Sequence, residues 1–303
     1  MNDQAEKLRQ AIDKLKMMHA ANQIETPPPL LKRSARVITV TSGKGGVGKT
    51  NLTINLAIAL SEQGLRVVIF DADFGLANID VLFGIVPRYT IVDIIKNRKN
   101  IFEVLTDGPK NIKFISGGSG VEELVKLNSN QIMKFVNDMA LLDKLADIII
   151  VDTGAGLSES VVSFIMAADE ILLVTTPEPT SITDAYALMK MVSNRDKSKK
   201  IRVVVNRVED QREAEDVANK LKLVANKFLG IVIEPIGYVV KDESVVKSVK
   251  KQQPFIIGFP KSQAAKNIKD ISARLIEDGK NTEILQNYGI KVFFNRLVKF
   301  MKA

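Results

Sequence analysis

The chain predicts a doubly wound, mostly parallel α/β sheet with helices on both faces and a phosphate-binding loop after its first strand. Three observations predict it. The β-branched run Val37-Ile38-Thr39-Val40 leads into a glycine-rich turn and then into residues 51–63, where Leu52, Leu56, Ala59 and Leu60 recur at helical spacing until Gly64. From Arg36 onward, strand-like apolar runs alternate with helical stretches. The 303 residues are 46% apolar and 26% charged, an ordinary globular composition long enough for one large α/β domain.

The turn reads Gly43-Lys44-Gly45-Gly46-Val47-Gly48-Lys49-Thr50 and fits G-x-x-x-x-G-K-[ST]. Strand, glycine loop and helix together aim backbone N–H groups and a helix N-terminus at a phosphate. Glycines are required because a Cβ would block that approach. Lys49 supplies a point charge to the outer phosphates, the Thr50 hydroxyl is a candidate Mg²⁺ ligand, and Asn51 opens the helix.

Lys44 is a second lysine inside the loop and invites a separate explanation, the alternative being a solvated charge. With Lys44, the stretch resembles the deviant-Walker-A ATPases, the family of MinD, ParA and their relatives. The resemblance implies ATP as ligand and an ATP-dependent sandwich dimer in which Lys44 reaches the partner subunit's nucleotide. It covers roughly residues 36–278.

Arg66-Val67-Val68-Ile69-Phe70 is a short buried strand running into Asp71-Ala72-Asp73. Carboxylates at the carboxyl end of a strand lie where open α/β sheets bind ligands. Asp71 is assigned to the Mg²⁺ and water shell and Asp73 to the attacking water; turn and cap aspartates are the alternative. Phe74-Gly75-Leu76-Ala77-Asn78-Ile79-Asp80 is similar to the family's switch I, which puts Asp73 on its catalytic aspartate. Residues 91–95 suggest a short helix and 111–115 a strand, followed by a second glycine-rich turn, Ser116-Gly117-Gly118-Ser119-Gly120, that lacks Lys-[ST].

Asp147-Ile148-Ile149-Ile150-Val151-Asp152 is an apolar strand closing in a carboxylate, the pattern in which Asp152 holds Mg²⁺ directly or through water. Thr153-Gly154-Ala155-Gly156-Leu157 follows as a candidate switch II. Residues 171–176 are the next strand, ended by Pro177-Glu178-Pro179, with Thr180 or Ser181 expected to cap a helix to about Ser193. Residues 202–207 form a strand ending in Asn206 and Arg207. A carboxamide can pair with N6 and N7 of adenine, which favours ATP, and the Asn-Lys-x-Asp guanine signature is absent. The family resemblance likewise implies Asn206 for the base. Residues 234–238 supply a last strand, and a helix from about Ser262 to Glu277 covers the sheet before Asp278-Gly279-Lys280 breaks the chain.

The two ends divide the chain into a 1–25 arm, a 26–35 proline linker, a 36–280 domain and a 281–303 tail. In the arm, Ala5, Leu8, Ile12, Leu15 and Met18 make a narrow apolar stripe, set off by Pro27-Pro28-Pro29. A helix packed back on the domain or a disordered tail are the alternatives to partner docking. Asp3, Gln4, Ala5, Leu8 and Arg9 resemble the N-terminal signature of the FlhG branch (also called FleN or YlxH), MinD-like regulators of flagellar number. That resemblance implies docking on an FlhF-type GTPase, with Gln4 near the partner's GTP. In the tail, Ile290, Phe293, Phe294, Leu297, Val298, Phe300 and Met301 fill roughly 160° of one helical face, opposite Lys291, Asn295, Lys299 and Lys302. Large apolar groups opposite lysines describe an in-plane membrane helix on anionic lipid; a terminal helix docked on its own domain is the alternative.

With no cysteine, disulfides and thiolate metal or Fe–S sites are excluded, and the single histidine, His19, makes no metal site by itself. No apolar run approaches a bilayer span and no secretory signal is present, so a cytoplasmic protein, peripheral on the membrane, is expected. The net charge of +8 suits an anionic partner without choosing one. The expectation is an FlhG-type regulator that hydrolyses ATP with Mg²⁺ as a timer on dimerisation and membrane binding. A MinD-type division-site ATPase and a ParA-type DNA-segregation ATPase are the alternatives, with DNA binding not expected.

Overall fold

Period-2 apolar runs set the architecture, because every β-branched strand residue needs cover on its own face of the sheet. The strands of the computed structural model are β1 (Arg36–Thr41), β2 (Val67–Ala72), β3 (Thr106–Asp107), β4 (Lys113–Ile115), β5 (Ile148–Thr153), β6 (Glu170–Thr175), β7 (Lys200–Val208) and β8 (Ile233–Val240). They form one sheet in the order β3-β4-β2-β5-β1-β6-β7-β8, parallel throughout except for β3 against β4. The structure describes residues 34–73, 78–118, 120–280 and 289–302.

The longer helices are α1 (Lys49–Glu62), α2 (Ser129–Met139), α3 (Glu159–Ala167), α4 (Pro179–Arg195), α5 (Gln211–Val224), α6 (Glu243–Lys250), α7 (Gln263–Lys280) and α8 (Ile290–Lys302). Ile38, Val40, Ile69, Ile150 and Leu172 point to one face, under α1 and α7. Their strand neighbours Val37, Val68, Phe70, Ile149 and Val151 point to the other, under α2, α3 and α8, and Leu173, Val203 and Val205 continue that face under α4 and α5. This is the doubly wound arrangement the sequence predicts. The chain leaves β1 for β2 on one side and reaches β6 on the other, so the crevice at the carboxyl end of β1 is a topological switch point.

Several expected boundaries move. The strand expected over 111–115 begins only at Lys113, because Pro109–Asn111 form a 3₁₀ turn with Lys110 and Asn111 at positive φ. β3 has two residues, too few for a periodic signal. α4 starts at Pro179, not at a Thr180 or Ser181 cap, since proline is preorganised for a first helical turn. The Ser181 hydroxyl instead accepts from the Thr176 N–H at 3.1 Å. α7 continues through Gly279 to Lys280, where a break was expected. A single helical glycine costs only about 1 kcal/mol, less than the packing of the face that α7 buries.

The C-terminal helix is docked on the domain, the alternative the sequence left open beside membrane binding. Ile290, Phe293, Phe294 and Leu297 are fully buried in the same core cluster as β2 and α3, and Val298 is nearly buried. Phe294 stacks edge-on to Phe70, Phe135 and Phe293 at 5.9, 5.1 and 5.2 Å between centroids. Met301 packs at the edge of this cluster and Phe300 is exposed. Asp143 Oδ1 accepts from the N–H groups of Ala35 and Ile290, and Arg296 pairs with Asp169 at 3.2 Å. The side chains assigned to a membrane thus face the domain's own sheet. Amphipathicity states that one face is apolar; it does not state what covers it.

Candidate nucleotide-binding site

The glycine loop turns through Gly46 at φ 77° and Gly48 at φ 95°, left-handed conformations that favour glycine. Gly48 then caps α1 without a side-chain hydrogen bond, which leaves the first N–H groups of the helix aimed at the crevice. Gly43 is fixed for a different reason: a Cβ there would lie 2.3 Å from the Asp184 carbonyl oxygen of α4. Lys49, the first residue of α1, is buried at 8% exposure, and Asn51 sits in the same turn, its carbonyl accepting from Asn55.

Asp152 closes β5 between β1 and β2, opposite Val40 in one register and Asp71 in the other. Burial pushes its carboxyl up; the Lys49 charge and the hydroxyls of Thr50 and Thr53 hold it down. Thr53 donates to Oδ1 at 3.0 Å. Among the described residues Oδ2 is buried with no hydrogen-bond partner. An orphaned carboxylate oxygen beside the Thr50 hydroxyl is a hard-oxygen pair that fits Mg²⁺. Among the described residues no group of three His, Cys, Asp or Glu gathers, so phosphate oxygens and water would have to complete such a shell.

Asp71 is held by backbone donors. Its Oδ1 accepts from the Asp73 N–H at 3.0 Å, and Oδ2 accepts from the N–H groups of Asn78 and Ile79 at 3.2 and 3.3 Å. Burial, then the nearby Asp152 charge, pushes its carboxyl up to about 7. Asp71 thus holds the backbone on either side of residues 74–77, at Asp73 and at Asn78 and Ile79, while Thr50 and Asp152 stand together at the phosphate loop. Asp73 sits where it was expected, at the mouth of the crevice: Asn78 Nδ2 donates to its Oδ2 at 3.4 Å, and Gly154 lies against Oδ1. Asn78 and Gly154 thus meet at Asp73. Gly156 N–H donates to the Ser42 carbonyl at 2.9 Å and ties the turn after β5 to the start of the phosphate loop.

Lys44 turns away from the loop's own cradle. Its Nζ donates to Glu178 Oε2 at 2.7 Å and to Thr180 Oγ1 at 2.9 Å, at the start of α4. Asn206 is brought to the loop as well, but its Nδ2 donates to the Val47 carbonyl at 2.7 Å, so the amide expected on adenine braces the loop. Arg207 beside it is exposed at φ 60° and donates its N–H to Asn206 Oδ1. Thr53 was not foreseen, and Glu178 and Thr180 read as turn and cap residues without their contact to Lys44. Thr53 could have been found, one turn beyond Thr50 on the same helix face; the other two are distant in sequence. Asp3, Gln4, Ala5, Leu8, Arg9 and residues 74–77 lie outside the described residues.

Comparison with known proteins agrees with this geometry. The CobQ/CobB/MinD/ParA nucleotide-binding domain matches residues 38–255. The chain is 41% identical over 240 residues to the antiactivator FleN of Pseudomonas aeruginosa, covering 79% of this chain and 86% of that protein. It is 32% identical over 274 residues to the flagellum site-determining protein YlxH of Helicobacter pylori, covering 89% and 92%. Among solved structures, the MinC:MinD cell division protein complex of Aquifex aeolicus superposes with a TM-score of 0.65 at 27% identity, over 84% of this chain and 100% of that one. A loop built on left-handed glycines, an orphaned acid beside its threonine and a lysine held out on the rim therefore have a family to belong to: the chain is a member of the CobQ/CobB/MinD/ParA nucleotide-binding family, a P-loop ATPase of the MinD/ParA type.

Proposed function

We propose that this ATPase is a dimerising switch in the control of flagellar number or placement. The observation that carries the dimer is the position of Lys44, whose amine is held on the rim, 2.7 Å from Glu178. From the rim it can serve the nucleotide of a second copy. Lys49 and the α1 N-terminus hold the phosphates, Thr50 and Asp152 hold Mg²⁺, and Asp73 orients the attacking water. The likeness to FleN and YlxH supports the flagellar assignment. On this reading residues 1–25 dock on an FlhF-type GTPase and stimulate it.

The same reading gives α8 two states. Docked, it completes the core; released when the dimer forms, its apolar face and Lys291, Lys299 and Lys302 meet anionic lipid. Paired helices on a dimer bind a surface far better than one. Among the described residues no helix is long and apolar enough to cross a membrane, so any association is at the surface.

The test is Asp73→Ala with ATP and Mg²⁺ on size exclusion. It should elute as a dimer, and a monomer at every protein concentration would end the reading. A residues 1–25 peptide that leaves an FlhF-type GTPase unstimulated would favour the MinD-type alternative. Sedimentation with phosphatidylglycerol vesicles should require ATP and fall in a Lys291→Glu, Lys299→Glu variant.

A further inference from the structure

We infer that Glu178, with Thr180, is a positioning residue that latches Lys44 in the monomer and so sets the ATP-dependent threshold for dimerisation; this rests on the dimer reading above. The latch is defined by two bonds to one ammonium, from Nζ to Glu178 Oε2 at 2.7 Å and to Thr180 Oγ1 at 2.9 Å. Both acceptors stand on one rigid element. Glu178 is the residue before Pro179, and α4 itself is pressed onto the phosphate loop where Gly43 meets the Asp184 carbonyl. The distance from loop to latch is thereby fixed.

An ammonium is a compact point charge with three donors, and the latch engages two of them and fixes where the amine sits. To follow a phosphate on another copy it has to leave that position. Dimerisation must therefore break the latch, and in a two-fold symmetric dimer it must break two. Arg207 lies close enough to lower the Glu178 carboxyl along with Lys44, so the carboxylate keeps a cation nearby when Lys44 leaves. The Lys44–Glu178 pair is exposed on both sides, which makes it a weak and readily exchanged contact rather than a structural one.

An exposed pair of this kind shifts an equilibrium about two- to five-fold. Two latches per dimer multiply to about four- to twenty-five-fold. The direct test is amine acetylation of the nucleotide-free chain read by mass spectrometry. Lys44 should react about two- to five-fold faster in Glu178→Gln than in the unmodified sequence. Lys247, ion-paired with Glu243 on α6, serves as the internal reference. The consequence is read by light scattering with ATP and Mg²⁺ in an Asp73→Ala background. There Glu178→Gln should lower the dimer dissociation constant by about four- to twenty-five-fold. Unchanged Lys44 reactivity, or a dissociation constant that stays put or rises, overturns the latch. If Asp73→Ala alone never dimerises, the parent reading fails while the acetylation result still decides whether the latch exists.

Discussion

Gly48 and Asn206 occupy one space. A Cβ at Gly48 would stand 2.4 Å from Asn206 Nδ2, the atom that donates to the Val47 carbonyl at 2.7 Å. The phosphate loop is shaped from behind by β7, a strand two places away in the sheet. Gly48→Ala should therefore lose nucleotide binding through both the clash and the strained φ, whereas Asn206→Ala should keep the fold and weaken binding about fivefold, for one lost hydrogen bond of about 1 kcal/mol. Fluorescent-nucleotide titration of the two variants separates these outcomes.

The orphaned Asp152 oxygen makes a prediction with an unusual sign. A buried carboxylate with one oxygen unpartnered among the described residues destabilises the site, and Mg²⁺ with nucleotide would relieve it. Asp152→Asn should leave the melting temperature of the nucleotide-free protein unchanged or higher. It should abolish the extra stabilisation that Mg²⁺ adds to ATP. Thermal melts with ATP, with and without Mg²⁺, check both halves.

Because α8 is core, its aromatic residues bear on stability. Phe294→Ala removes a ring that contacts three others and should lower unfolding free energy by about 3–5 kcal/mol. Phe300→Ala, on the exposed side of the same helix, should change it by less than about 0.5 kcal/mol. Urea denaturation of both would show a large difference; equal, small effects would mean the helix is not docked in solution.

Asp169, which holds Arg296 of α8, gives a pH dependence. Burial pushes its carboxyl up to about 6, against the partial restoring effect of Arg296. An acid whose folded pKa is raised binds its proton more tightly in the native state. Its contribution to stability is fully present below about pH 4 and is lost as pH rises through about 6. Unfolding free energy should therefore rise by roughly 1–2 kcal/mol between pH 7 and pH 5 from this group. Asp169→Asn should lack that component, measured by urea denaturation across the same range.

Local pattern sufficed for the sheet, the phosphate loop, Lys49, Thr50 and Asp152, because strand period, glycine spacing and an acid at a strand end are properties of neighbouring residues. The same argument places Asp71 and Asp73 at the crevice but does not tell their surroundings apart. Two carboxylates one residue apart look alike in sequence, yet only tertiary contact says that Asp71 takes three backbone N–H groups. The tail left two covers open for a related reason: the face of β2 that receives Phe293 and Phe294 is more than two hundred residues away in sequence. The sequence by itself determined that this protein has a phosphate cradle, a second lysine beside it and a C-terminal helix with one apolar face. Tertiary structure decided where that lysine rests, which acid is left with an open oxygen and what the apolar face covers, since each depends on contacts between segments whose distance along the chain carries no information about distance in space.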